Sequence, residues 1–101
     1  MDKEKQIVEE FSRYMYEKLQ MRHTRYAPLG WQTLDIKRLI ILLEEEIKEL
    51  KERHATTPES FGMIESTGTT HSMMRANMQD NAIDIGNYAM FIWSFLELVK
   101  D

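Results

Sequence analysis

The stretch that decides the fold is residues 36–50, IKRLIILLEEEIKEL. Its apolar residues recur every three or four positions, which is the spacing of one face of an α-helix. They are Ile36, Leu39, Ile40, Leu43, Ile47 and Leu50. We predict a helix over residues 34–53, with Thr33 or Asp35 as its N-cap. The near-heptad repeat of the apolar positions is typical of helices in bundles.

Two more helices are predicted on either side of this one, over residues 2–22 and 71–99. The apolar positions of the first are Ile7, Phe11, Met15 and Leu19, with Val8 and Tyr14 beside them. Those of the last are Met74, Met78, Ala82, Ile85, Ala89, Ile92, Leu96 and Val99. Residues 54–70 are rich in threonine, serine and glycine and are predicted to form a long loop.

The chain of 101 residues has room for a single domain, residues 1–101. We expect an all-α fold, a helical bundle of about three main helices. The last helix is longer than a compact monomer of this size needs, and we expect Phe91, Trp93 and Phe95 on it to be exposed. These features predict completion of the bundle by homo-oligomerisation, as a dimer or a dimer of dimers.

The charge balance excludes some classes of partner. There are 17 acidic and 13 basic residues, and the pI is near 5.4. Such a chain repels nucleic acid and anionic membranes, so we expect neither as a partner. No apolar run approaches the ~20 residues of a membrane span, and a secretory leader is not evident. Together with the absence of cysteine, this predicts a cytoplasmic protein.

The second helix carries an acid cluster beside its apolar face. On a helical wheel Glu46 lies at the edge of that face, Glu49 lies one step outward, and Glu45 faces solvent. Glu46 and Glu49 are therefore placed to converge on one ion. The alternative is a solvated face of ion pairs one turn apart, of which Glu49 with Arg53 is one.

The third helix carries a polar strip of Asn77, Asn81, Asp84 and Tyr88, with Asp80 one turn before Asp84. Polar groups beside a core need partners, so the strip is either a hydrogen-bonded helix interface or part of a site. If the two helices face each other, carboxylate and amide oxygens surround one point. Oxygen ligands suit Mg²⁺ or Mn²⁺, and Mg²⁺ commonly takes substrate phosphates as further ligands.

These residues resemble the MazG-like, all-α nucleoside triphosphate pyrophosphohydrolases, relatives of the all-α dUTPases. The family signature is EExxE on one helix and ExxD on the next. The EEIKE of residues 45–49 matches the first half, and the NAID of residues 81–84 matches the second with Asn81 in place of glutamate. The continuation IGNYAMF and the Gly30-Trp31 step before the second helix are similar to small phage and integron members.

The resemblance implies Mg²⁺-dependent hydrolysis of a (deoxy)nucleoside triphosphate to the monophosphate and pyrophosphate, a house-cleaning activity. It implies a cation, Mg²⁺ or Mn²⁺, held by Glu46, Glu49 and Asp84, assisted by Asn81 or Asp80. Glu46 or Glu49 would orient or deprotonate the attacking water. Predicted substrate-binding residues are Trp31 and Tyr88 stacking on the base, Asn87 hydrogen-bonding to it, and Lys48 and Arg75, with Arg53, Arg22 and Arg25 as other candidate cations for the phosphates.

Two other functions are compatible with the sequence. In one, the protein is a non-catalytic helical interaction protein, in which the apolar faces form a dimer and the acidic residues are only solvated. In the other, it is a degenerate family member that binds nucleotide or metal without turnover, because Asn81 removes one negative charge from the expected metal site.

Overall fold

The computed structural model describes residues 2–22, 34–57 and 69–99, and they form three helices. These are α1 (Lys3–Arg22), α2 (Ile36–Ala55) and α3 (Thr69–Leu98). No strand occurs in this described part of the chain. The prediction of an all-α fold with three main helices is confirmed.

The helices begin and end within two residues of their predicted bounds, because local signals set these ends. Asp35 is the N-cap of α2, and its carboxylate accepts a hydrogen bond of 2.7 Å from the backbone N–H of Arg38. At the other end, the hydroxyl of Thr56 donates to the carbonyl of Arg53 at 2.8 Å. Thr33, the alternative cap, lies outside the described residues.

Helix α3 is the central element, and α2 packs along it more extensively than α1 does. The buried apolar residues are Leu39 on α2 and Phe91 on α3. The expectation that Phe91 is exposed was therefore wrong. Its ring packs edge-to-face against Tyr88, with the ring centroids 6.0 Å apart, whereas Trp93 is exposed as expected.

The face of α3 that is most deeply buried differs from the predicted one. It consists of Asn81, Asp84, Asn87 and Phe91, spaced three or four residues apart. The residues of the predicted apolar face are only half-buried along most of α3, and Ala89, Leu96 and Val99 are exposed. The prediction from the apolar pattern was wrong because the polar residues form hydrogen bonds and ion pairs with α1 and α2. These partners offset the cost of burying them.

Helix α1 comes close to α3 at Gly86. A Cβ atom at this position would lie 2.8 Å from two ring carbons of Phe11 and 3.3 Å from the sulfur of Met15. Glycine costs a helix interior about 1 kcal/mol relative to alanine, so here the close contact offsets that cost. Nearer the N-terminus of α1, Ile7 and Val8 are exposed rather than packed.

None of the described helices combines the length and the apolar character that crossing a lipid bilayer requires.

Leu39→Ala should lower the free energy of unfolding by about 2–5 kcal/mol, because it opens a cavity at a fully buried position. Urea denaturation at neutral pH measures this loss. The matched control is Leu98→Ala, which removes the same atoms from an exposed side chain and should change stability by less than about 0.5 kcal/mol. Equal losses in the two variants would contradict this assignment of the core.

Candidate functional site

Three polar side chains lie one turn apart on the inner side of α3, and we call them the polar face of α3: Asn81, Asp84 and Asn87. They are 2%, 8% and 0% exposed, respectively. Burying such groups costs free energy unless each polar atom finds a partner. Their partners come from α1 on one side and from α2 on the other.

Asn81 links α3 to α2 through both ends of its amide group. Its Nδ2 donates to Oε2 of Glu46 at 3.1 Å, and its Oδ1 accepts from Nη1 of Arg53 at 2.8 Å. The same Nη1 donates to the carbonyl of Asn77 at 2.7 Å, while Nη2 of Arg53 lies 2.7 Å from Oε1 of Glu49. Arg53 is therefore fixed by groups on two helices.

Lys18 links α1 to α3. Its Nζ lies 2.8 Å from Oδ2 of Asp84 and 3.0 Å from Oδ1 of Asp80. The side chain of Lys18 is only 20% exposed, whereas that of Asp80 is 61% exposed. The Lys18–Asp84 contact is therefore largely shielded from water. Removing only one partner of such a pair is destabilising, because the other charge is left without a partner.

The charges of this region perturb two pKa values. Burial raises the pKa of Glu46, and the negative charges of Asp84 and Glu49 raise it further, against the lowering effect of the hydrogen bond from Asn81. Burial alone would lower the pKa of Lys18, but the hydrogen bonds and charges of Asp84 and Asp80 outweigh it and raise that pKa. Glu46 is thus near enough to Asp84 and to Glu49 to be repelled by both.

Asn87 connects the last member of the polar face to α1. Its Nδ2 donates to the carbonyl of Met15 at 3.3 Å. Its Oδ1 is also buried, and among the described residues no donor reaches it. Asn87 therefore holds two helices together and retains one unused acceptor inside the protein.

The predicted metal ligands occupy two groups rather than one. Glu46, Glu49 and Asn81 contact one another or Arg53, whereas Asp84 and Asp80 contact Lys18. Across residues 2–22, 34–57 and 69–99, no three acidic or histidine side chains are close enough to hold one metal ion. The donors are hard oxygens that suit Mg²⁺ chemically, but arginine and lysine are paired with three of the four carboxylates. A shared metal ion therefore remains a prediction.

The helical wheel of α2 gave the right order of exposure for the acid cluster. Glu45 is exposed, while Glu46 and Glu49 are partly buried. The ion pair between Glu49 and Arg53, which belongs to the alternative of a charged helix face, is also present. The ion pair predicted by the alternative is therefore present, whereas the convergence of Glu46 and Glu49 on one ion stays a prediction.

The predicted substrate-binding residues differ in how far they are exposed. Asn87 has no exposed atom to offer a base, in contrast to its predicted role, because it is used between α1 and α3. Tyr88 is half-buried against Phe91, and Lys48 and Arg75 are exposed. Trp31 lies outside the described residues, as do Arg25 and the glycine before the tryptophan.

Sequence reasoning missed Lys18, although a signal was present. Lys18 lies three residues after Met15 and next to Leu19, so a helical wheel places it at the edge of the apolar face of α1. A lysine there needs either solvent or a carboxylate on the neighbouring helix. Only the packing of α1 against α3 identifies that carboxylate.

Sequence reasoning also missed a groove between α1 and α3. It has a volume of about 350 Å³ and is lined mainly by apolar atoms. Phe11 and Tyr14 lie on the α1 side, and Gln79, Asp80 and Ile83 lie on the α3 side. Since Asp80 also contacts Lys18, the groove adjoins the charged cluster.

No family model matches the chain, and comparisons with curated proteins and with solved structures find no match either. The resemblance to MazG-like enzymes therefore depends on the two half-motifs and their placement.

Asn81→Asp should lower the free energy of unfolding by about 1–3 kcal/mol, measured by urea denaturation with EDTA present. Aspartate cannot donate to Glu46 and adds a negative charge beside it, although Arg53 still binds the new side chain. The control is Asn77→Asp on the exposed side of the same helix, where only the backbone carbonyl contacts Arg53. If the control lost as much stability, the buried Asn81 amide would not be the connection between α2 and α3.

Glu46→Gln should stabilise the protein at pH 7 in EDTA, by roughly a few tenths of a kcal/mol for a partly exposed group. Because folding raises the pKa of Glu46 above its ordinary 4.5, the stability it contributes falls as pH rises from below 4.5 through the raised value. Glutamine is neutral and still accepts from Asn81.

The advantage of Glu46→Gln should therefore disappear below pH 4.5, the ordinary glutamate value. Thermal melts from pH 4 to pH 8 measure this difference, with Glu45→Gln as the exposed control. A difference that does not change with pH would show that the charge of Glu46 is not unfavourable in the fold.

Proposed function

We propose that this protein is a Mg²⁺-dependent nucleoside triphosphate pyrophosphohydrolase, which converts a (deoxy)nucleoside triphosphate to the monophosphate and pyrophosphate. The observation that carries the proposal is the 3.1 Å hydrogen bond between Glu46 and Asn81. It brings the EEIKE segment of α2 against the NAID segment of α3. These are the two half-motifs on which the resemblance to the MazG-like family is based.

In this proposal Glu46, Glu49 and Asp84 hold the metal ion, with Asn81 or Asp80 assisting. Burial and the negative charges of Asp84 and Glu49 raise the pKa of Glu46, and the second of these effects supports such a site because a divalent cation would relieve the repulsion. Bound Mg²⁺, or Mn²⁺ in its place, would neutralise phosphate charge and lower the pKa of a water molecule.

The protein side chains have separate roles in the reaction. Glu46 or Glu49 would orient the attacking water or take its proton. Glu49 balances the charge of Arg53. The exposed cations Lys48 and Arg75 are free to reach the phosphates.

The groove between α1 and α3 is the candidate site for the nucleobase. Its volume of about 350 Å³ is in the range of small-molecule sites, and Phe11 supplies an aromatic surface. Tyr14 already has the guanidinium of Arg13 over its ring at 4.9 Å, so one of its faces is covered. Gln79 offers an amide to the edge of a base. We retain Trp31 and Tyr88 as further stacking candidates.

We also propose that the protein acts as a homo-oligomer, a dimer or a dimer of dimers, on the cytoplasmic nucleotide pool. Large apolar side chains are exposed on the outer side of α3 and at its C-terminal end, including Trp93, Leu96, Leu98 and Val99. Exposed apolar side chains in this number favour association with a second copy.

A second candidate function is non-catalytic binding, either as a helical interaction protein or as a family member without turnover. The observation that favours it is that Lys18 pairs with Asp80 and Asp84 and that Arg53 pairs with Glu49. With three of the four carboxylates paired in this way, the cluster does not need a metal ion to fold.

A panel of nucleotides separates the two candidates. Each of the common ribo- and deoxyribonucleoside triphosphates is incubated with the protein and Mg²⁺, and pyrophosphate release is measured. The hydrolase proposal expects release from at least one nucleotide and its loss in EDTA. If no nucleotide releases pyrophosphate and neither Mg²⁺ nor Mn²⁺ alters thermal stability, non-catalytic interaction is the better account.

Glu49→Gln should reduce turnover at least about 100-fold while the helical content stays unchanged, because it removes a ligand charge and conserves volume. The assay is pyrophosphate release, with circular dichroism as the check on folding. Glu45→Gln, an exposed neighbour on α2, should keep full activity. An active Glu49→Gln variant would overturn the assignment of Glu49 to the metal.

A further inference from the structure

The groove between α1 and α3 combines an apolar lining with polar side chains from both helices. Phe11 on α1 and Ala76, Ala82 and Ile83 on α3 supply apolar surface to a volume of about 350 Å³. Two of these four residues are alanines, whose small side chains leave room beside the aromatic ring. An apolar surface with an aromatic ring suits a flat aromatic ligand.

The polar side chains of the groove are mainly hydrogen-bond acceptors. Glu10 comes from α1, and Gln79 and Asp80 come from α3. All three are exposed, so a ligand in the groove can reach them. An ionised carboxylate accepts hydrogen bonds and donates none, whereas the amide of glutamine does both. Each of the two helices therefore contributes a carboxylate that needs a donor.

These carboxylates favour a neutral donor over a positively charged ligand, because cations are already present beside the groove. Nζ of Lys18 lies 3.0 Å from Oδ1 of Asp80, and the guanidinium of Arg13 lies 4.9 Å from the ring centre of Tyr14. A carboxylate has about four lone-pair positions, so Asp80 can accept from a ligand while it remains paired with Lys18. The ligand that fits best is an aromatic ring with N–H donors at its edge.

We propose that this groove selects nucleobases that carry an exocyclic amino group, through hydrogen bonds from that group to Glu10 and Asp80. The inference rests on the proposed function, in which the groove holds the base, and it leaves Asn81 as the residue that assists the metal ligands. An amino group such as that of cytosine donates to a carboxylate. A carbonyl oxygen at the same position, as in uracil, would bring two acceptors together and leave both without a donor.

The first test is pyrophosphate release from pairs of nucleotides that differ in an amino group against a carbonyl oxygen at one ring position. The pairs are dCTP with dUTP, and the triphosphates of deoxyadenosine and deoxyinosine. In each pair kcat/KM should be at least about tenfold higher for the nucleotide with the amino group. Using one pyrimidine pair and one purine pair separates the effect of the amino group from that of ring size.

Two variants identify the groups that make the selection. Glu10→Gln and Asp80→Asn replace a carboxylate by an amide, which can donate to a carbonyl oxygen as well as accept from an amino group. Each should therefore reduce the ratio of the two kcat/KM values at least about threefold. Glu9→Gln, an exposed neighbour that does not line the groove, should leave the ratio unchanged. A purely structural role would change stability or both rates together, and the ratio would stay the same.

A second test needs no turnover. The full chain in EDTA is titrated with cytidine and with uridine, and the NMR signals of the Gln79 side-chain amide are followed. Cytidine should shift these signals and bind about tenfold more tightly than uridine. Ala76→Leu, which fills the groove from an exposed position, should weaken the binding of cytidine.

Several results would overturn the inference. These are equal or tighter binding of uridine, no response of the Gln79 signals to cytidine, and signals that change with protein concentration instead, because a second copy then covers the groove. If pyrophosphate is released with no preference within either pair, the hydrolase proposal stands and the groove does not select the base. If cytidine is preferred but no nucleotide is hydrolysed, the selection stands in a protein that binds without turnover.

Discussion

The structure depends on the burial of three polar side chains on one face of its longest helix. Asn81, Asp84 and Asn87 would each destabilise the fold if they were left without partners. Asn81 is satisfied by α2, and Asp84 and Asn87 are bound by α1. The polar face of α3 therefore fixes the orientation of both neighbouring helices. Apolar packing alone would define that orientation less well.

The same contacts explain why a short chain tolerates two acid clusters next to its core. Arg53 balances Glu49 and binds Asn81, while Lys18 balances Asp80 and Asp84. Lys18 contacts two carboxylates, whereas Arg53 contacts one carboxylate and two neutral oxygens. With these charges paired, the chain can fold without a bound cation.

With its polar face inside, α3 has an apolar face that the single chain covers only in part. Half-buried residues such as Met78 and Ile85 continue into exposed residues near the C-terminal end, such as Leu96 and Val99. A chain of this size has little surface to spare for a second apolar face. Burial of the polar face of α3 therefore leaves exposed the apolar surface on which we base the proposal of oligomerisation.

The sequence by itself determined the three helices, the Asp35 cap and the relative exposure of Glu45 and Glu46, because hydrophobic period and capping act within a few residues. Only the tertiary structure decided the rotation of α3, the burial of Phe91, the use of Asn87 between helices and the pairing of Lys18 with Asp84. These features depend on which groups meet across helices. The hydrophobic period of a helix predicts an apolar inner face. It contains no information about the hydrogen bonds and ion pairs from two other helices that make a polar inner face stable here.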